Sequence, residues 1–170
     1  MHIVTVVGDS QVGKTALCEQ WATPLSVTDS YMATMSVNHY VLSTMTIHDT
    51  PSQSRFQMKL EPYYASSDVI VLVANEDSDS DRWYARIRPV APSASWLLLW
   101  TGDGPCPYKR AWASGLNIPC IHTSLASVEQ VDNAFKHLVR VVRRHAPRPE
   151  RVPLAGYPLL DEARRWLTCV

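Results

Sequence analysis

No apolar run in this 170-residue chain approaches the roughly 20 residues that a membrane-spanning helix needs. Net charge is missing too: 16 Lys+Arg stand against 16 Asp+Glu. That balance argues against a general nucleic-acid binder, which would be basic. The first residues, Met1-His2-Ile3-Val4-Thr5-Val6-Val7, lack a basic lead and a small-residue cleavage site, so no signal peptide is expected. Cys18, Cys106, Cys120 and Cys169 lie far apart with no CxxC pair, a spacing that suits reduced thiols in the cytosol better than a disulfide frame or a zinc site. The histidines add no metal-ligand spacing, and there is no repeat and no low-complexity tract. What is present is core material: 46% hydrophobic and 19% charged residues, enough for one folded domain and too little chain for two.

Patterning indicates an α/β architecture. Ile3 to Val7 is a β-branched run that stops at Gly8, as a buried strand ending in a turn would. Val69-Ile70-Val71-Leu72-Val73 is apolar throughout, which suits a strand covered on both faces, and Ser95 to Trp100 repeats the pattern. Ile118 to His122 is a weaker third run, and Ser36 to Leu42 and Met45 to His48 read as strands joined through Ser43-Thr44. Helices are expected from Lys14 to about Thr23, over Arg55 to Tyr64, Asp79 to Arg88 and Val128 to Arg144, the last with Val131, Ala134, Phe135, Leu138, Val141 and Val142 at helical spacing. Alternating strands and helices predict a mostly parallel central sheet with helices on both faces. After His145, Pro147, Pro149, Pro153 and Pro158 interrupt regular structure among arginines. Leu159 to Leu167 could form a short amphipathic helix, expected to dock on the domain's own surface in preference to a partner or lipid.

The strongest chemical signal is Gly8-Asp9-Ser10-Gln11-Val12-Gly13-Lys14-Thr15, a full GxxxxGKS/T match between a strand and a helix. Glycines let such a loop curl so that main-chain N–H groups point at phosphate oxygens. The helix N-terminus adds positive potential, Lys14 a full charge, and Thr15 a hydroxyl able to hold Mg2+.

With these residues the sequence resembles a small GTPase of the Ras superfamily, nearest to the Rab branch, with a small-GTPase-like P-loop fold over residues 1–145 and a Pro/Arg-rich tail over 146–170. Asp49-Thr50-Pro51-Ser52-Gln53-Ser54-Arg55-Phe56 resembles the DTAGQERF switch, with Tyr63-Tyr64 following at the family's spacing. Tyr31 to Met35 is similar to the first switch, and Ile118 to Ser124 to the strand leading into the base-binding ETSAK loop. The resemblance implies phosphate contacts from Ser10, Gln11, Val12, Gly13, Lys14, Thr15 and Ala16, with Thr34 and the Ser52 amide at the terminal phosphate. It implies Mg2+ ligation by Thr15 and Thr34, with Asp49 acting through a water, and positioning of the attacking water by Gln53. Guanine would be read by Asp103, with Ser124 and Leu125 in the second base loop. The ligands implied are GTP and GDP, and the partners are effectors and regulators that meet the switch regions.

The family pattern is altered at named positions. The guanine-reading NKxD motif stands here as Trp100-Thr101-Gly102-Asp103, and SAK as Ser124-Leu125-Ala126, so both lysines are replaced. Ser52 replaces the glycine of DxxG, Pro51 precedes it, and Gln11 takes the place of a usual small residue. These losses keep a second reading open, a pseudo-GTPase scaffold with weak or no nucleotide binding or turnover. A P-loop kinase or ATPase is a third. Plainer roles also exist: Thr34 as a loop threonine, Gln53 as a helix-start residue, Asp103 as a turn cap, and His39, His48 and His122 as surface or satisfied core residues. Cys169 is penultimate and fits no CaaX pattern, so the expected location is cytoplasmic, with peripheral membrane contact left open.

Overall fold

β1 (His2–Val7), β3 (Met45–Asp49), β4 (Val69–Ala74), β5 (Ser95–Trp100) and β6 (Cys120–His122) run parallel in the computed structural model, and β2 (Asn38–Val41) pairs antiparallel with β3. The order across the six-stranded sheet is β2-β3-β1-β4-β5-β6. The structure describes residues 1–23, 35–53 and 60–145. Thr34, the first half of the Arg55–Tyr64 stretch and the whole tail, with its expected helix, lie outside the described residues.

The apolar β4 run is buried at every position, and its alternation feeds two cores. Val69, Val71 and Val73 join Val4, Val6, Leu97 and Leu99 under α1 (Lys14–Ala22) and the C-terminal helix Val128–Arg144. Ile70, Leu72 and Ala74 join Val7, Leu98 and Trp100 on the opposite face. There they pack under α2 (Glu61–Ser66), α3 (Ser80–Ile87) and α4 (Pro107–Gly115), which makes Val128–Arg144 α5. Full burial of each such side chain is worth about 1.5–3 kcal/mol. Trp21 links the two helices of the first face, its Nε1 donating to the Val131 carbonyl at 3.2 Å.

The sequence reading matches α5 and β5 end to end, and α3 to within a residue, with Asp79 capping it through the Arg82 amide. Ser43-Thr44 closes the β2–β3 hairpin, where the Leu42 amide donates to Met45 O at 2.9 Å. The reading misses α4. That helix starts on Pro107 and turns Lys109 and Ala113 inward, so its buried positions carry no apolar stripe. Lys109 is instead held by polar contacts, its Nζ donating to Ser78 O and Ser80 Oγ.

β1 lies between β3 and β4, so the chain winds outward in both directions from it. The loops after β1, β3, β4, β5 and β6 therefore gather at the carboxyl ends of the strands, where open α/β sheets bind ligands.

Candidate functional site: a phosphate loop and its surroundings

Gly8 leaves β1 at φ 144°, and a Cβ there would run into the Val73 carbonyl. Gly13 caps α1 at φ 90°, and a Cβ there would strike the Leu125 side chain. Both positions favour glycine for backbone conformation, and Gly8 requires it for space as well. Between them Ser10 and Gln11 are exposed and Val12 is buried. Gln11 adopts φ 64°, the left-handed region that costs a side-chain-bearing residue about 1–2 kcal/mol. Because Gln11 is exposed, Gln11→Gly is expected to stabilise the nucleotide-free protein by about 0.5–1 kcal/mol in chemical denaturation, after glycine's own entropy cost. An unchanged or lower stability would count against strain at this position.

Lys14 is buried at the start of α1, with Nζ donating to the Asp9 carbonyl at 2.7 Å. Burial lowers its pKa to about 8, against the opposing pull of Asp49 and Asp9. Beside it the Thr15 hydroxyl donates to Asp49 Oδ2 at 2.7 Å, and Asn38 Nδ2 approaches the same oxygen at 3.4 Å. Asp49 ends β3 fully buried, and its Oδ1 has no hydrogen-bond partner among the described residues. Burial pushes its pKa up, with the Thr15 hydrogen bond and Lys14 working against that. A buried, half-satisfied carboxylate next to a threonine hydroxyl is a hard-oxygen donor set of the kind Mg2+ takes, so these residues fit that ion.

The strand-end loop after β3 folds back over the phosphate loop. Thr50 Oγ1 donates to Val6 O at 2.7 Å, and Ser52 Oγ lies 3.3 Å from Ser10 Oγ. Ser52 stays outside the left-handed region, so a side chain in place of the family's glycine carries no backbone penalty. Gln53 follows, half-buried at the edge of the described segment.

After β6, Leu125 is brought against Gly13. The Ser124 amide is taken by Gln130 Oε1 at 2.8 Å, and His122 Nε2 lies 3.0 Å from Gly102 O. Thr101 Oγ1 donates to Val12 O at 3.0 Å, tying the end of β5 to the phosphate loop. Asp103 is exposed on the wall of an open cavity of about 530 Å3, with Glu76, Trp100, Tyr108 and Lys109, and its amide donates to Glu76 Oε1 at 2.7 Å. His122 is thus a satisfied residue, and His48 is buried in ring contact with His39 and Tyr63. Sequence reasoning missed Asn38, Thr101 and the side chain of Asp9; only the position of Asp9 inside the loop motif pointed to it.

The family model described as Roc, Ras of Complex, domain of DAPkinase matches residues 3–102. Ras-related protein Rab-1C of Dictyostelium discoideum is 27% identical, covering 85% of this chain and 82% of its own. Ras-related protein RABD2a of Arabidopsis thaliana is 25% identical over 92% and 91%. GTP-binding protein ypt1 of Schizosaccharomyces pombe is 27% identical over 81% and 78%.

Proposed function

The chain belongs to the Roc family of Ras-superfamily domains, in a divergent Rab-like form, and from that premise we propose a guanine-nucleotide-binding switch with slow GTP hydrolysis. Its setting would be membrane traffic or signalling, with residues 1–145 as the nucleotide-binding domain and 146–170 as a tail. The observation that carries this reading is the cluster of Lys14, Thr15 and Asp49 at the mouth of a glycine-shaped loop.

Main-chain amides of residues 10–16 would hold the phosphates, and Lys14 would neutralise them. Oxygen donors at Thr15, Thr34 and Asp49 would hold Mg2+, which when bound supplies charge neutralisation at the phosphate oxygens. The Ser52 amide would meet the terminal phosphate, and Gln53 would orient the attacking water. Asp103 would accept the guanine N1–H and amino hydrogens, a pairing adenine cannot make, with Ser124 and Leu125 beside the ring. Without an arginine supplied in trans hydrolysis would stay slow, and a partner's arginine would speed it by about 10³–10⁵. Effectors and regulators would read the two switch segments, Tyr31 to Met35 and Asp49 to Phe56. No helix of the described residues is long and apolar enough to cross a membrane.

A scaffold without turnover is the second reading. The base side favours it: the Ser124 amide is already engaged by Gln130, and Asp103 lacks the lysine that accompanies it in relatives of the NKxD pattern. Calorimetry with Mg-GDP, Mg-GTP and Mg-ATP, followed by single-turnover hydrolysis of wild type and Gln53→Ala, separates the two. The switch predicts guanine-selective binding and hydrolysis about tenfold or more slower in the variant. Binding with equal, negligible rates would favour the scaffold, and an ATP preference would overturn the guanine reading.

A further inference from the structure

Asp9 puts a carboxylate into a loop whose proposed task is to receive a polyanion. Left free, that charge would repel the phosphates. The structure turns it away from the loop's mouth and satisfies it from behind. Arg82 Nη2 lies 2.6 Å from Asp9 Oδ1, Trp83 Nε1 donates to the same oxygen at 3.0 Å, and the Asp79 amide donates to Oδ2 at 3.1 Å. All these donors come from the first turn of α3 and its cap. Asp9 meanwhile offers its own carbonyl to Lys14 Nζ. One residue thus joins the lysine of the phosphate loop to a helix more than 70 positions further along the chain.

That helix turn is itself anchored. Trp83 is 2% exposed, Lys109 holds Ser78 and Ser80, and Trp112 Nε1 donates to Asp81 Oδ1 at 2.5 Å. The phosphate loop is therefore braced against a polar lattice spanning α3 and α4, in addition to its covalent attachment to β1 and α1.

We propose that Arg82 and Trp83 are positioning residues for the phosphate loop, acting through Asp9. They fix the Asp9 carbonyl that parks Lys14, and the Arg82 guanidinium offsets the carboxylate's charge beside the anion site. The inference rests on the nucleotide-binding reading for its consequence, while the brace itself is a property of the fold.

Release of a fluorescently labelled GDP from the full chain tests it. Arg82→Ala and Trp83→Phe, the latter keeping a ring but losing the N–H, should each speed release by about three- to tenfold. In an Asp9→Ala background neither change should add to the effect, and Arg82→Lys should restore the rate to within about twofold of wild type. A structural role alone would lower the melting temperature without this non-additivity or rescue. Amide exchange of residues 8–15 in the nucleotide-free protein should rise in Arg82→Ala, an exposed position at which folding is safe. Unchanged release rates, or additive effects in the Asp9→Ala background, would overturn the proposal. Should wild type bind no nucleotide, the proposed function fails, and amide exchange alone decides the brace.

Discussion

Mg-GDP binding by Lys14→Ala is expected to fall by at least about a hundredfold relative to wild type, because a buried ammonium facing phosphate is worth several kcal/mol in a partly desolvated site. The empty protein should not suffer. Burial holds the Lys14 pKa at about 8, below its ordinary value of 10.5, so the folded state binds fewer protons than the unfolded chain between those values. The cost of the buried charge is therefore fully present below pH 8 and relieved as pH rises through that window. Removing the lysine should leave nucleotide-free stability at pH 7 equal to wild type or higher, the usual signature of a group kept for function.

Binding shows the opposite sign. Above pH 8 an anion must recruit a proton onto Lys14, so wild-type affinity should drop by about tenfold per pH unit, with proton uptake visible as buffer-dependent heats. Lys14→Ala should lack this alkaline limb. A variant that binds like wild type, or a wild-type affinity flat from pH 7.5 to 9.5, would remove Lys14 from the phosphate site.

Asp49→Asn gives the second large effect. Oδ1 of this fully buried carboxylate has no protein partner among the described residues, while Thr15 and Asn38 occupy Oδ2. If the pair exists to serve a cation, the amide should cost about ten- to a hundredfold in the Mg2+ dependence of nucleotide affinity. Nucleotide binding in chelator should change little. Because burial raises the Asp49 pKa, the charged form opposes folding at neutral pH, and the penalty eases as the solution is acidified through that pKa. Asp49→Asn should accordingly match or exceed wild-type stability at pH 7. In wild type the Mg2+ effect should fade on the acid side as Asp49 gains a proton. Identical Mg2+ dependence in the two proteins would show that Asp49 only anchors Thr15.

Much of this was legible from the chain alone. β1, β4 and β5 are written as apolar runs, because a strand covered on both faces needs apolar residues at consecutive positions. α5 is written as a helical stripe, to which the structure adds Ser127 as a cap accepting from the Gln130 amide. The glycine pattern of the phosphate loop is local for a similar reason: φ values of 144° and 90° must be served by the residue itself. α4 was not legible, since its inward lysine is stabilised by carbonyl and hydroxyl groups some 30 residues away. Neither was the contact of Leu125 with Gly13, nor the bond from the Ser124 amide to Gln130 Oε1.

Local patterning in the chain set the layers of the fold and the place where phosphate chemistry would sit, because periodicity, glycine geometry and the lysine-threonine pair act over a few residues. How that place is held depends on contacts that long-range folding makes. Asp9 is braced by Arg82 and Trp83, Asp49 is buried against Thr15 and Asn38, and Gln11 is kept in a left-handed turn. The paired contacts join polar residues far apart in the chain, and the turn at Gln11 persists only because the surrounding fold imposes it. Polar side chains carry no pattern that marks a distant partner, so their meaning appears only when the sheet brings its loops together.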